Sequence, residues 1–354
     1  MISPGGGSAV AGPSVWVVSD GRAGIERQAL SLARALNAPH RKAQLSHIRS
    51  RAHRAAPLRL NPQGWQLGLR PDIWPFPMGA LDDDQRELVH APWPDVWIGA
   101  GRRSIPYSRQ IKHLSRGKTL VVQTQHPKVG LRPFDLVIPP AHDGLKGRNV
   151  FPILGPPTFF PESDIADAAR RFPDLASEPR PKLLVSIGGD SKTHTLSEAC
   201  LGEIETSLRA IAATGWALWI TVSRRTPDHA RTGLRALAKD LKARFWESEA
   251  ADGPNPYLAF LSLCDAALVT EDSANMLADP AYFGKPIHLL RLEGRSPKFD
   301  RMHHSFIDAG AARWFGGPIA RWTYKPIREV ERAADEIVRL LLVRHPVPSF
   351  RQKT

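Results

Sequence analysis

Four short segments in the second half of this chain gather groups that could grip a nucleotide. They read Ile187-Gly188-Gly189-Asp190-Ser191-Lys192, Ser223-Arg224-Arg225-Thr226-Pro227, Asn255-Pro256-Tyr257 and Thr270-Glu271-Asp272-Ser273. Gly188 and Gly189 allow backbone N–H groups to approach an anion closely, and Lys192 adds a cation. Arg224 and Arg225 stand side by side where a helix begins. There they repel each other and the positive helix end, a cost that a diphosphate would relieve, unless one of the two is instead a structural ion pair. Asn255 before Pro256 is a good helix start, and Ser273 or Asp272 can cap the helix that follows. The hydroxyls of Thr270 and Ser273 suit a phosphate. Asp279, one or two helical turns on, suits a ribose diol. The glycine spacing fits neither a Walker loop nor G-x-G-x-x-G, so a dinucleotide coenzyme is not expected.

Four further segments lie in the first half: Ser19-Asp20-Gly21-Arg22-Ala23-Gly24, Gly99-Ala100-Gly101-Arg102-Arg103-Ser104, Gln123-Thr124-Gln125-His126-Pro127 and Pro140-Ala141-His142-Asp143. Asp20, His126 and His142 are the candidates for moving a proton. Against this, a lone loop histidine is more often a hydrogen-bonded structural residue, and Asp20 could cap a helix. Asp82, Asp83 and Asp84 are adjacent and cannot all face one ion. A solvated helix start is expected there, with no metal site and no cofactor elsewhere.

Parallel-sheet elements would position these segments. "SVWVVS", "DVWIGAG", "KTLVVQT" and "FDLVIPP" are β runs, and "IERQALSLARAL" has helical apolar spacing. A second alternation starts at "KLLVSIGG" and continues through "WALWITVS", "DAALVT" and "KPIHLLRL" with helices between. Six prolines in 155–181 mark the join. The expected fold is α/β, two Rossmann-like domains facing a cleft. The boundaries are a disordered leader at 1–13, a first domain at 14–160, a second domain at 161–326 and a crossover helix at 327–345. Ligands of such sheets bind outside the strands' carboxyl ends, where all these segments fall.

The bulk numbers agree with a soluble protein: 354 residues, 42% apolar and 23% charged. The net charge of +13 is uneven: residues 1–160 hold 21 Lys/Arg against 10 Asp/Glu, the remainder 27 against 25. The first half therefore faces something anionic, an acidic acceptor or a membrane surface, or else carries an Arg-rich solvated face. No basic segment interleaved with aromatic residues points to nucleic acid. Cys200 and Cys264 are expected as buried free thiols. The first residues lack a basic n-region and apolar core, and no apolar run is long enough to span a bilayer. The expected place is the cytoplasm, at most peripheral on the inner membrane.

The segments "SDGRAG", "DVWIGAGRRS", "QHP", "FDLVIPPAHD", "IGGDSK", "SRRTP", "NPY" and "VTEDSANM" occur in order. Together they resemble the bacterial mitochondrial-fission ELM-like family, which is similar to GT-B glycosyltransferases and nucleotide-sugar 2-epimerases. The resemblance runs from about Val15 to Leu342. The family loop usually reads Gly-His-x-x-Gln; here Ile25 stands in the histidine's place and Gln28 is kept. The family helix usually reads Met-x-Ser-Glu-Ala; here Asp279 replaces the glutamate that holds the donor ribose in relatives. The resemblance implies a metal-independent glycosyltransferase acting on a nucleotide-diphosphate sugar and an envelope lipid or glycan. Donor contacts would come from Gly188, Gly189, Asp190, Ser223, Arg224, Arg225, Thr270, Glu271, Asp272, Ser273 and Asp279. A nucleotide-sugar epimerase or hydrolase, or a scaffold without turnover, would keep the same fold.

Overall fold

Apolar runs too continuous to leave either face in water become the strands of two parallel sheets. The computed structural model describes residues 10–346. It divides into two units: unit 1 is the described chain up to Phe159 plus the chain from Glu329 on, and unit 2 is Phe160–Arg328.

Unit 1 orders its strands as Leu58–Arg59, Val15–Ser19, Val96–Ala100, Leu120–Thr124 and Leu136–Ile138, all parallel. Side chains alternate across the sheet. Val17, Ile98 and Val122 face one core, which the helices Ala23–Leu36 and Glu329–Arg344 cover. Trp16, Trp97 and Val121 face the other, together with Ile105 and Ile111 of the helix Ile105–Leu114. The last helix is held by more than its apolar stripe. Arg41, 3% exposed, donates to Asp335 at 2.7 Å and to the Glu331 carbonyl at 3.1 Å.

Unit 2 orders Arg244–Trp246, Ala217–Val222, Lys182–Ile187, Ala266–Thr270, Ile287–Leu290 and Ala312–Trp314, again all parallel. In chain order this is 3-2-1-4-5-6, and the order reverses between 182–187 and 266–270. Three strands are preceded by an aspartate that accepts a neighbouring strand's N–H at 2.8 Å: Asp95 from Ser14, Asp135 from Val121 and Asp265 from Lys182. These bonds help set register at the strands' entry ends and leave the opposite ends to the loops.

Some boundaries differ from those read in the sequence. Val10–Ala11 pairs antiparallel with Arg49–Ser50, so ordered pairing begins inside the stretch read as a leader; residues 1–9 of that stretch lie outside the described residues. The proline-rich join holds two helices, Glu162–Arg171 and Pro173–Ala176, which belong to unit 2. Cys200 and Cys264 are buried free thiols. No helix of the described residues is long and apolar enough to cross a membrane.

Candidate functional site

The carboxyl ends of both sheets carry the sequence-predicted segments, but the two ends differ in kind. In unit 2 the loops are tied to one another. Thr270 Oγ1 accepts the Gly188 N–H at 2.7 Å and donates to Asp272 Oδ1 at 2.7 Å. Asp272 Oδ2 accepts the Gly189 N–H at 3.2 Å and Arg225 Nη2 at 2.6 Å. The Asp272 side chain is fully buried and Arg225 is 41% exposed. Asp190 joins the same knot: its N–H donates to the Arg225 carbonyl, and its carboxylate accepts from the Leu196 N–H at 2.9 Å. A Cβ on Gly188 would lie 2.0 Å from Asp272 Oδ1, and one on Gly189 would lie 2.1 Å from the Arg225 carbonyl oxygen. The Gly188 and Gly189 N–H groups and the space beside their Cα atoms are thus taken up by Thr270, Asp272 and the main chain at Arg225.

The two carboxylates and two hydroxyls at the end of strand 266–270 therefore have separate tasks. Thr270 and Asp272 lock the loops, and Ser273 caps the helix Ala274–Tyr282 by accepting from Met276 N–H. Glu271 turns elsewhere: its Oε1 accepts the Leu292 N–H at 2.8 Å, and its carboxylate lies 4.0 Å from Nδ1 of His303. Asp279 is fully buried and accepts the Tyr257 hydroxyl at 2.9 Å. Its helix turns it inward. Asn255 receives the Tyr257 N–H at 2.9 Å, the expected helix-start bond. Arg224 and Lys192 stay exposed, and among the described residues neither guanidinium nor ammonium has a carboxylate partner. Ser223 Oγ accepts the Arg225 N–H at 3.1 Å.

Glu271 and His303 predict a pH response. Burial raises the Glu271 carboxyl above its ordinary value and lowers His303. His303 Nε2 faces the Glu271 carbonyl at 2.8 Å, so Nε2 carries the proton of the neutral ring. Below about pH 6.5 unfolded histidine binds a proton that folded His303 resists, so this group removes stability as pH falls. Glu271 has the opposite sign: its stabilising share is present below the unfolded value and is lost as pH rises through the folded one. Thermal melts from pH 7 to 5 should show wild type losing more stability than His303→Gln, which keeps an N–H for the carbonyl and does not titrate. Parallel slopes would remove His303 as the source.

In unit 1 the switch point between Val15–Ser19 and Val96–Ala100 opens into a cavity of about 650 Å³. Arg22, Arg70, Arg102, Lys128 and His126 line it, with Gln125 and Ile25. Among the described residues no carboxylate lines it. Asp20 lies behind it, its side chain 3% exposed, with Arg22 Nη2 on Oδ2 at 2.6 Å and Nε on both oxygens. Arg22 occupies the cap position of helix Ala23–Leu36 with no side-chain cap bond, so Asp20 is an ion-pair partner and not the helix cap. Asp72 holds Arg70 at 2.8 Å. Arg102 and Lys128 have no carboxylate partner among the described residues, which leaves the cavity about two positive charges.

His126 Nδ1 accepts the Lys128 N–H at 3.0 Å, which puts the proton of the neutral ring on Nε2. Gln125 and Lys128 both have left-handed backbone, φ 69° and 60°, unusual for residues with a Cβ. Such strain concentrates where a loop must aim side chains at a ligand. Gln125 also donates to Gln28 at 2.8 Å. His142 is buried at Ala141–Asp143, 4.0 Å from Asp143, and does not line the cavity. Of the three proton-transfer candidates, then, His126 lines the cavity, Asp20 sits one arginine behind it, and His142 lies apart. Arg22 and Arg102 lie inside the sequence-predicted segments with no role of their own assigned, and Lys128 directly follows one. All three come within four residues of a strand end, the signal that marks them. Arg70 sits in an aperiodic stretch.

Two parallel sheets with these strand orders define a GT-B-like α/β protein built from two Rossmann-like units. The chain belongs to the family described as Mitochondrial fission ELM1, whose model matches residues 23–341. It is 26% identical over 287 residues to the mitochondrial fission protein ELM1 of Arabidopsis thaliana, covering 73% of this chain and 66% of that protein. It is 22% identical to protein RP120 of Rickettsia prowazekii, covering 93% of this chain and 98% of the relative. Among solved structures it is similar to a UDP-GlcNAc 2-epimerase from Neisseria meningitidis bound to UDP-GlcNAc. The TM-score is 0.52 at 12% identity, over 93% of this chain and 100% of the epimerase.

Proposed function

We propose that this chain is a metal-independent glycosyltransferase. Unit 2 would hold a nucleotide-diphosphate sugar and unit 1 an envelope lipid or glycan. One observation carries this reading: each sheet ends in its own collection of cations, and a two-substrate transfer needs two sites. Asp272, buried among these loops, is committed to Arg225. Arg224 is left to offset charge on the departing diphosphate. In the reaction an acceptor oxygen bonds to the anomeric carbon as the bond to the diphosphate breaks. The acceptor's proton passes to a base, which we assign to Asp20. An anionic acceptor in the cavity would compete for Arg22 and release that carboxylate. His126, a donor through Nε2, would hold the acceptor.

A scaffold without turnover is favoured by one observation: Asp279 and Arg225 already have internal partners. An epimerase or hydrolase would need the donor site alone and would leave the unit 1 cavity without a task. Calorimetry with UDP and UDP-GlcNAc, then turnover with native lipid extract, separates the three. Binding with no turnover in any fraction would favour the scaffold, and consumption of donor without acceptor the epimerase or hydrolase.

The same measurements test the two arginines apart. Arg224→Ala should weaken UDP binding by about 1.5–3 kcal/mol, the worth of a charge-assisted hydrogen bond. Its melting temperature should hold, because the side chain is exposed. Chelator should leave affinity and turnover unchanged; loss of turnover in EDTA would sink the metal-independent mechanism.

A further inference from the structure

The strongest unexplained surface lies beside the unit 1 cavity. Residues 65–76 read Trp-Gln-Leu-Gly-Leu-Arg-Pro-Asp-Ile-Trp-Pro-Phe. Trp65 is 70% exposed, Phe76 73% and Ile73 55%. Gln66 Nε2 donates to the Phe76 carbonyl at 3.2 Å, and the Gln63 N–H donates to the Ala80 carbonyl at 2.7 Å. These bonds close the segment into a loop and bring the Trp65 and Phe76 ends together. Arg102 donates to the Leu69 carbonyl at 3.3 Å, which ties the loop to the cavity wall. Arg70 and Pro71, at its middle, line the cavity. Prolines at 71, 75 and 77 restrict the loop, so little order remains to be gained when it binds.

Large aromatic side chains held out in water by a stiff loop mark an interaction surface. Two facts choose the partner. The unit around the loop carries the chain's basic excess, and the adjoining cavity retains about two positive charges with no lining carboxylate. Aromatic insertion next to cations is how a protein lies on an anionic bilayer. We propose that the loop Trp65–Phe76 seats unit 1 on an anionic membrane and that the cavity takes the phosphate head of a lipid, gripped by Arg102 and Lys128. The proposal rests on reading unit 1 as the acceptor side, and it narrows that acceptor to a phosphorylated lipid.

The test uses the full chain and two probes: vesicles of phosphatidylcholine with or without phosphatidic acid, and soluble glycerol 3-phosphate. Wild type should sediment with the phosphatidic acid vesicles and little with phosphatidylcholine alone. Trp65→Ser with Phe76→Ser should lose at least tenfold in vesicle affinity and keep glycerol 3-phosphate binding. Arg102→Glu with Lys128→Glu should lose both. Wild type that binds glycerol 3-phosphate but no vesicle would assign the cavity to a soluble phosphate and overturn the membrane docking. Vesicle binding indifferent to both double variants would overturn the whole proposal. So would binding of a single-stranded oligonucleotide through the same cations without vesicle binding. UDP binding in the same preparations reports on unit 2, so failure here and failure of the donor reading show up separately.

Discussion

Alanine at Gly188 should lower the stability of unit 2 by about 2–4 kcal/mol, although the change adds one methyl group. The added Cβ would sit 2.0 Å from Asp272 Oδ1, far inside contact distance. The carboxylate must therefore move, and it is the centre of the knot. Moving it strains the bonds from Gly189 N–H, Thr270 and Arg225 together. Breaking a buried ion pair costs about 3–5 kcal/mol. Arg225 is 41% exposed and recovers some hydration, so the lower range applies here. For a unit of this size each kcal/mol moves the melting temperature by roughly 2–4 °C, so a fall of about 5–15 °C is expected. Gly202→Ala is the control. That glycine lies in the helix Glu198–Ala213 with nothing within 4 Å of an added Cβ, and alanine there should gain about 0.5–1 kcal/mol. If Gly188→Ala melts with wild type, Asp272 is not the pin described.

Physical reasons separate what the sequence made legible from what it did not. The long inner strands were readable because both faces of each sheet are buried, which leaves unbroken apolar runs such as Val96–Ala100 and Ala266–Thr270. The edge strands Leu58–Arg59, Arg244–Trp246 and Ala312–Trp314 are two or three residues long, too short for any period to register. The helix Pro297–Asp308 is hard to read in the sequence although Phe299, Met302, His303 and Phe306 have helical spacing. A histidine in a core position hides that stripe from a count of apolar residues. The loops bearing candidate chemistry were found because they follow strands. Their internal ties were not: a glycine pair looks the same whether a phosphate or Asp272 fills its space. The pairs Arg225–Asp272 and Tyr257–Asp279 are 47 and 22 residues apart and leave no local pattern.

Asp20→Asn should lower turnover about 10²–10⁴-fold, the usual worth of a positioned proton acceptor. The acceptor hydroxyl must lose its proton as its oxygen attacks, and asparagine cannot take that proton. Arg22 now covers both carboxylate oxygens, so the base works only after the arginine leaves. Arg22 is 61% exposed and lines the cavity, where a bound anion would draw it away. Three variants then give three signatures. Asp20→Asn loses kcat while its melting temperature and donor affinity stay near wild type, because an ion pair with so exposed an arginine contributes at most about 1 kcal/mol. Arg22→Ala leaves the carboxylate uncovered, so kcat holds while KM for an anionic acceptor rises. His126→Gln keeps an N–H donor in place of Nε2 and should change kcat by less than about tenfold, since a ring whose Nδ1 already accepts from Lys128 is poorly placed to take a second proton. Retention of most turnover by Asp20→Asn, with a large loss in His126→Gln, would transfer the base to the histidine and leave Asp20 as the residue that holds Arg22 in the cavity wall.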